Sequence, residues 1–312
     1  LARQVAAGHE LSALGMFEQG FYDKVGFGTG SYEQLMKFDP ATLQVGSTFR
    51  PPKRLTVRDS EAMYYAMQHR KRGHGSVTID SKELFKAEMN LTEHGFGLGY
   101  YDGPGGSLSH FIWGSSKGEH GPFEITFRAY QSTEQLFELL ALIKSLGDQI
   151  NLVEMLEFGD IQLQDLLKQP FRQRRATANS RFANYSSSMA FWQVRILDLK
   201  ACLAKTQLDC PTLRFNLDLH DPVTTSLDPA SNWQGIGGQY VVCLGESSSA
   251  EPGNDSGLAT LKASVNAFSR LWLGVRPATQ LAATTDLRAD DDLLSRLDRS
   301  IRVPSPHLGW DF

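Results

Sequence analysis

The sequence predicts an α+β chain of mixed strands and helices, too long for a single core. Its two periodicities and its length carry that prediction. Residues 54–58 and 213–219 alternate apolar with polar at a period of two, as half-buried strands do. Leu136, Leu139, Leu140, Ile143 and Leu146 recur at helical spacing, as do Leu293, Leu294, Leu297 and Ile301. At 312 residues the chain exceeds the roughly 250 to 300 at which single cores stop growing, so two or three domains are expected.

Taken in order, Leu1-Ala2-Arg3-Gln4-Val5-Ala6-Ala7-Gly8 has the make-up of a helix tail with a glycine stop. A strand over 10–17, a helix over 18–25 and a strand over 31–38 follow, turned by Val25-Gly26-Phe27-Gly28. Phe49-Arg50-Pro51-Pro52 cannot continue regular structure and reads as a linker. Residues 54–58 alternate as a strand. Asp59 or Ser60 then caps a helix over 61–71, with Met63, Met67, Tyr64 and Tyr65 as its apolar stripe. Strands over 96–101 and 108–113 flank the glycine- and proline-rich turn 102–107. After the strand 123–130, Ser132 opens the amphipathic helix that Gly147 ends; a strand over 150–156 and a short helix over 161–167 complete the middle of the chain.

The pattern changes from Phe191. Residues 191–196 are strand-like and 198–205 start a helix. The strand-like runs 213–219 and 238–244 are separated by turns at Asp221-Pro222 and Trp233-Gln234-Gly235. Residues 258–273 read as one amphipathic helix with Leu261, Val265, Phe268, Leu271 and Trp272 on a face, and a second helix starts at Asp290.

Composition narrows the function classes. The chain is 41% hydrophobic and 21% charged with a net charge of −4, which argues against nucleic acid as a partner because phosphate neutralisation needs excess lysine and arginine. No apolar run approaches the roughly 20 residues of a membrane span, and no signal peptide is evident. Cys202, Cys210 and Cys243 make neither an even disulfide framework nor a CxxC pair, which favours a cytoplasmic setting. The eight histidines form no HExxH or other metal-ligand spacing, so no metal is expected.

Several motifs invite chemistry. Arg70-Lys71-Arg72-Gly73-His74-Gly75 fits R-x-x-G-x-G, a loop whose amides cradle pyrophosphate when it lies between a strand and a following helix. Here it follows a helix and precedes an extended run, so a solvated basic helix end is the better reading. Arg172, Arg174 and Arg175 make a second basic cluster with the same default. Gly235-Ile236-Gly237-Gly238 lies between strands and is a turn, and nothing in their spacing makes a nucleophile pair of His220-Asp221 with Cys202 or Cys210.

The last is Phe21-Tyr22-Asp23-Lys24-Val25-Gly26-Phe27, at the corner after the strand 10–17. An aromatic pair before a glycine turn often plugs a core. The run also resembles the late part of a GNAT acetyltransferase domain, where a helix of the form F-Y-x-x-x-G-F follows a strand. The apolar end Pro306-His307-Leu308-Gly309-Trp310-Asp311-Phe312 extends the likeness to the Eis (enhanced intracellular survival) family. That resemblance implies tandem GNAT-like domains followed by a sterol-carrier-protein-like domain. The segments would be 1–47, the remnant of the catalytic domain, 48–190, a second GNAT-like domain, and 191–312, the carrier-like domain. It implies a longer parent protein, with on the order of a hundred residues ahead of Leu1.

The resemblance further implies an N-acetyltransferase that uses acetyl-CoA and acts on a small-molecule amine or a lysine, assembled as a homo-oligomer. Tyr22 would be the general acid for the departing thiolate, and the α-carboxylate of Phe312 the general base or substrate anchor. Phe17 and Glu18 would touch acetyl-CoA and Asp311 would add charge for the substrate. The family usually has a small or polar residue where Phe17 stands. The rival is a non-catalytic protein gripping an apolar ligand or a protein partner.

Overall fold

The computed structural model describes residues 1–78, 81–159, 161–170 and 175–310. They form two compact units, each discontinuous in sequence. One comprises 1–32 with 190–306, the other 33–189 with the described end of the chain from His307. These are spatial units and not stretches of consecutive sequence.

The first unit opens with α1 (Ala2–Ala6), β1 (Leu11–Gly15), α2 (Gln19–Asp23) and β2 (Gly28–Thr29). The second contains β3 (Glu33–Phe38), β4 (Lys53–Leu55), α3 (Ser60–His69), α4 (Lys82–Leu91), β5 (Phe96–Tyr100), β6 (His110–Ser116), β7 (Phe123–Ala129), α5 (Thr133–Ser145), β8 (Val153–Leu156) and β9 (Tyr185–Met189). The strands make one sheet in the order β4-β5-β6-β7-β8-β3-β9. All neighbours are antiparallel except β7 and β8, which are parallel and paired only from Phe123 with Val153 to Ile125 with Met155.

Strand alternation, with a register shift between β6 and β7 at Trp113 and Gly114, sends side chains to both faces of this sheet. Ile112, Phe123 and Ile125 join the core formed with Leu136, Leu139, Leu140 and Ile143 of α5. Phe111, Trp113, Phe127 and Ala129 meet Met63 and Met67 of α3 and Phe85 and Met89 of α4. The end of the chain is seated here too. His307 N–H donates to the His74 carbonyl at 2.9 Å and Val77 N–H to the Leu308 carbonyl at 3.0 Å. Trp310 is only 2% exposed, packed edge-on against Phe85 and Phe127, with its indole N–H donating to Glu88 Oε2 at 3.2 Å.

The first unit resumes with β10 (Trp192–Ile196), α6 (Leu199–Ala204), β11 (Leu213–His220), β12 (Gly238–Leu244), β13 (Ser249–Pro252), β14 (Thr260–Ser264), α7 (Val265–Trp272), α8 (Ala278–Thr284) and α9 (Asp291–Ser300). Its sheets run β1-β10-β2 and β13-β12-β11-β14. The core joins Phe215, Leu217, Val242 and Leu261 of the sheet to Phe268, Leu271, Leu293 and Leu297 of the helices.

Several expected elements move. Residues 258–273 are not one helix. Leu261 and Ala263 point inward from β14 while Lys262 is exposed, β14 pairs parallel with β11, and the Ser264 hydroxyl then caps α7 through Ala267 N–H. The helix expected over 161–167 is a 3₁₀ turn, Leu163–Leu166. Helix α3 starts without an Asp59 side-chain cap, because Asp59 is engaged in a capping box with Thr56 one turn earlier. Helices α4 and α8 and strand β9 were not foreseen.

Candidate active site

Tyr22 sits on α2, a five-residue helix entered from β1 through Met16, Phe17 and Glu18. So short a helix does not hold itself in water, since nucleation outweighs the few bonds formed. In the turn past its end, Val25 N–H donates to the Tyr22 carbonyl at 3.0 Å and Gly26 N–H to the Asp23 carbonyl at 3.1 Å. The Tyr22 ring is half-buried and lies edge-on to Phe17, Phe21 and Phe27 at centroid distances of 5.5, 5.1 and 6.0 Å. Phe17 and Phe21 are 75% and 53% exposed, so the cluster is a surface patch with Tyr22 at its centre and not a core plug. Glu18 precedes α2 in extended conformation and makes no side-chain cap bond.

The glycine of the motif has a physical reason. Gly26 has φ +87°, and a Cβ there would lie 1.6 Å from Arg195 Nη1. The guanidinium passes through the space a side chain would need and donates to the Val25 carbonyl and, at 2.6 Å, to Asp221 Oδ2. Beside α2 a cleft of about 390 Å³ is lined by Gln19, Asp23, Thr29, Asn266, Arg270 and Asp286, among others. Phe17 and Tyr22 are in ring contact, and Glu18 stands between them in sequence at the entry to α2. Asp311 and Phe312 lie outside the described residues, as do Arg172 and Arg174.

The other chemical candidates resolve into structure. Arg70 is buried, donates to the carbonyls of Met67 at 2.7 Å and Val77 at 2.5 Å, and lies over the Trp310 ring at 5.9 Å. Burial, with Arg72 and Arg128 nearby, pushes it down to about 10. The loop it opens follows α3 and leads into the segment that bonds the chain end, so its amides are not helix-start amides. Asp221 is taken by Arg195 and by Ile236 N–H at 2.8 Å, which explains the glycine turn 235–238 wrapping it. The Cys202 thiol is pushed up to about 12 by burial, which leaves it a poor nucleophile.

Asp102, His110 and Glu138 bring their ligand atoms within 4.8 Å of one another, a grouping able to hold a cation. The cation there is Arg50. Its guanidinium donates to Asp102 Oδ2 at 2.6 Å and to Glu138 Oε1 and Oε2 at 2.8 and 2.7 Å. It holds Glu138 down to about 2 and lowers Asp102, while burial lowers His110 despite Glu138 at 3.2 Å. Sequence reasoning missed this network because Arg50 stands in a proline linker far from its partners.

Comparison with known proteins fits this architecture. Residues 207–309 match the family described as sterol carrier protein domain. No curated protein matches the chain by sequence. Among solved structures, a protein of Enterococcus faecalis V583 described as a probable N-acyltransferase superposes with a TM-score of 0.75 at 18% identity, covering 100% of this chain and 74% of that one. A GCN5-related N-acetyltransferase from Anabaena variabilis gives 0.75 at 15% identity, covering 99% and 75%. Eis1 from Mycobacterium abscessus gives 0.72 at 12%, covering 99% and 76%. At these identities the likeness is one of fold. No helix among the described residues is long and apolar enough to cross a membrane. The expected Eis resemblance and fold class are borne out: over its whole length the chain is similar in fold to GCN5-related N-acetyltransferases and to Eis1, and its residues 207–309 match the sterol carrier protein domain.

Proposed function

We propose that the chain is the greater part of an N-acetyltransferase that moves the acetyl group of acetyl-CoA to an amine. The observation that carries the reading is the placement of Tyr22, on a short helix before a glycine turn, in a chain whose whole fold is that of GCN5-related N-acetyltransferases. The segments 1–47, 48–190 and 191–312 are its catalytic remnant, second GNAT-like domain and carrier-like domain.

The residues present suit a thioester. Phe17 and Phe21 expose apolar rings that touch each other and Tyr22, a surface for the pantetheine arm, with Glu18 at the same corner. In the reaction the amine nitrogen bonds to the acetyl carbon and the carbon–sulfur bond breaks. The Tyr22 phenol supplies the proton that the sulfur takes, and the nitrogen loses one to a base. The Phe312 α-carboxylate is that base or the anchor of the substrate ammonium; a free α-carboxylate, ordinarily near a pKa of ~3.5, suits the anchor better. Asp311 adds a second negative charge for a small-molecule amine or a lysine. Asp23 and Asp286 in the cleft beside α2 also favour a cationic acceptor. The reading includes a cytoplasmic homo-oligomer.

A lipid-carrying or binding role has less support, because the apolar faces of α7 and α9 are spent on the core, where Phe268, Leu271, Leu293 and Leu297 are all at most 3% exposed. The test is amine-dependent thiol release from acetyl-CoA by the natural full-length protein, over a panel of polyamines. Tyr22→Phe is expected to lower kcat by at least tenfold, within the range of general-acid catalysis, with acetyl-CoA binding within about threefold. Unchanged turnover in Tyr22→Phe would remove the tyrosine from the chemistry.

A further inference from the structure

Helix α2 is held by side chains that come from the far end of the chain. On β10 the period of two puts Trp192, Val194 and Ile196 on one face and Gln193 and Arg195 on the other, and all five are buried. Gln193 and Arg195 both reach α2. Gln193 Nε2 donates to Asp23 Oδ1 at 2.6 Å and to the Gln19 carbonyl at 3.3 Å. Arg195 donates to the Val25 carbonyl. From α7, Asn266 Nδ2 donates to the Asp23 carbonyl at 2.9 Å and the Phe27 carbonyl at 2.8 Å. The two ends of the Tyr22 helix and the turn after it are thus fixed by three side chains.

Arg195 is itself held. Its pair with Asp221 is 0% exposed on both sides, and the second carboxylate oxygen accepts from Val223 N–H at 3.1 Å. Its guanidinium also lies 5.3 Å from the centre of the Trp233 ring. A wholly buried ion pair is a weak source of stability, because desolvation offsets its attraction; what such a pair supplies is a unique arrangement. The arrangement supplied here is the position of Val25 and Gly26.

We propose that Gln193, Arg195 and Asn266 are positioning residues for Tyr22, and that the carrier-like domain, which contributes Asn266 and Asp221, serves as the scaffold of the acetyltransferase tyrosine. The proposal rests on the catalytic role given to Tyr22. Misplacing a catalytic group by about an ångström is enough to cost up to ~10²-fold in rate. Asn266 is the residue to change, since it carries no charge and is not fully buried.

The experiment is a double-mutant cycle of Asn266→Ala with Tyr22→Phe in the full-length protein, with hydrogen exchange of the Val25 and Phe27 amides as a second readout. Asn266→Ala is expected to lower kcat about tenfold alone and less than twofold in the Tyr22→Phe background, with KM for acetyl-CoA within threefold. Exchange at Val25 and Phe27 should quicken at least tenfold while β11 amides stay protected. An equal loss of kcat in both backgrounds, or unchanged exchange at those amides, overturns the positioning role and leaves Tyr22 in place. If Tyr22→Phe alone costs nothing, the catalytic reading fails and with it positioning for catalysis; quickened exchange would then leave only a structural pin.

Discussion

Arg195 in the first unit and Arg50 in the second each lie 2.6 Å from an aspartate oxygen, yet the two pairs do different work. Arg195 and Asp221 are sealed from water, whereas the side chains of Arg50 and Asp102 are 57% and 41% exposed. Equal distances therefore carry unequal consequences. In the sealed pair each charge has only its partner and a few placed backbone groups in place of water, Val223 and Ile236 N–H for Asp221 and the Val25 carbonyl for Arg195; the open pair is solvated with or without its partner. The buried pair also fixes backbone, at Val25, while the open one ties a linker to two carboxylates.

The largest effect expected from this contrast is that of Arg195→Met. It leaves Asp221 charged and unpaired in the interior, and it should cost about 3–5 kcal/mol in chemical denaturation. Arg195→Met combined with Asp221→Leu should recover much of that loss while leaving turnover low. Full recovery of turnover in the double variant would show that packing alone, without the guanidinium, places Tyr22.

A smaller cost, still above ~1 kcal/mol, is expected for Gly26→Ala. Its Cβ meets both a left-handed backbone at φ +87° and the Arg195 guanidinium. Gly105, also left-handed at φ +66° but with nothing within 4 Å of its Cβ, isolates the backbone part. If Gly26→Ala and Gly105→Ala shift the denaturation midpoint equally, the clash with Arg195 contributes nothing.

Arg50→Ala should cost least, within the ~0–1 kcal/mol of exposed pairs, and its signature is in pH dependence. Glu138 and His110 are both lowered in the folded protein, so the unfolded chain binds more protons and stability is lost as pH drops. For His110 the loss begins as pH drops below its ordinary value of 6.5. For Glu138 it runs from 4.5 down to about 2. Arg50→Ala removes the main cause of the Glu138 shift, so the fall below pH 4.5 should flatten. An acid-denaturation profile as steep as that of the parent would assign the shift to other groups.

Local pattern was enough wherever one element buries one face. The run 213–219 alternates and falls within β11, and Leu136, Leu139, Leu140 and Ile143 line the buried side of α5. Phe21-Tyr22-x-x-x-Gly26-Phe27 was legible for the same reason: its residues are neighbours in the chain and its glycine marks a backbone requirement. Other features carry no such mark. Residues 258–273 satisfy helical spacing throughout, and only the pairing of β14 with β11 splits them. The strand expected over 31–38 was visible, but not that its partners would be β8 and β9. The three pins on α2 come from 170 or more residues away. Sequence by itself determined the local periodicities and the special backbone positions, because these are set by near neighbours. Which buried polar side chain meets which carbonyl was decided only by the tertiary fold, because a hydrogen bond between distant residues leaves no periodic trace in either segment.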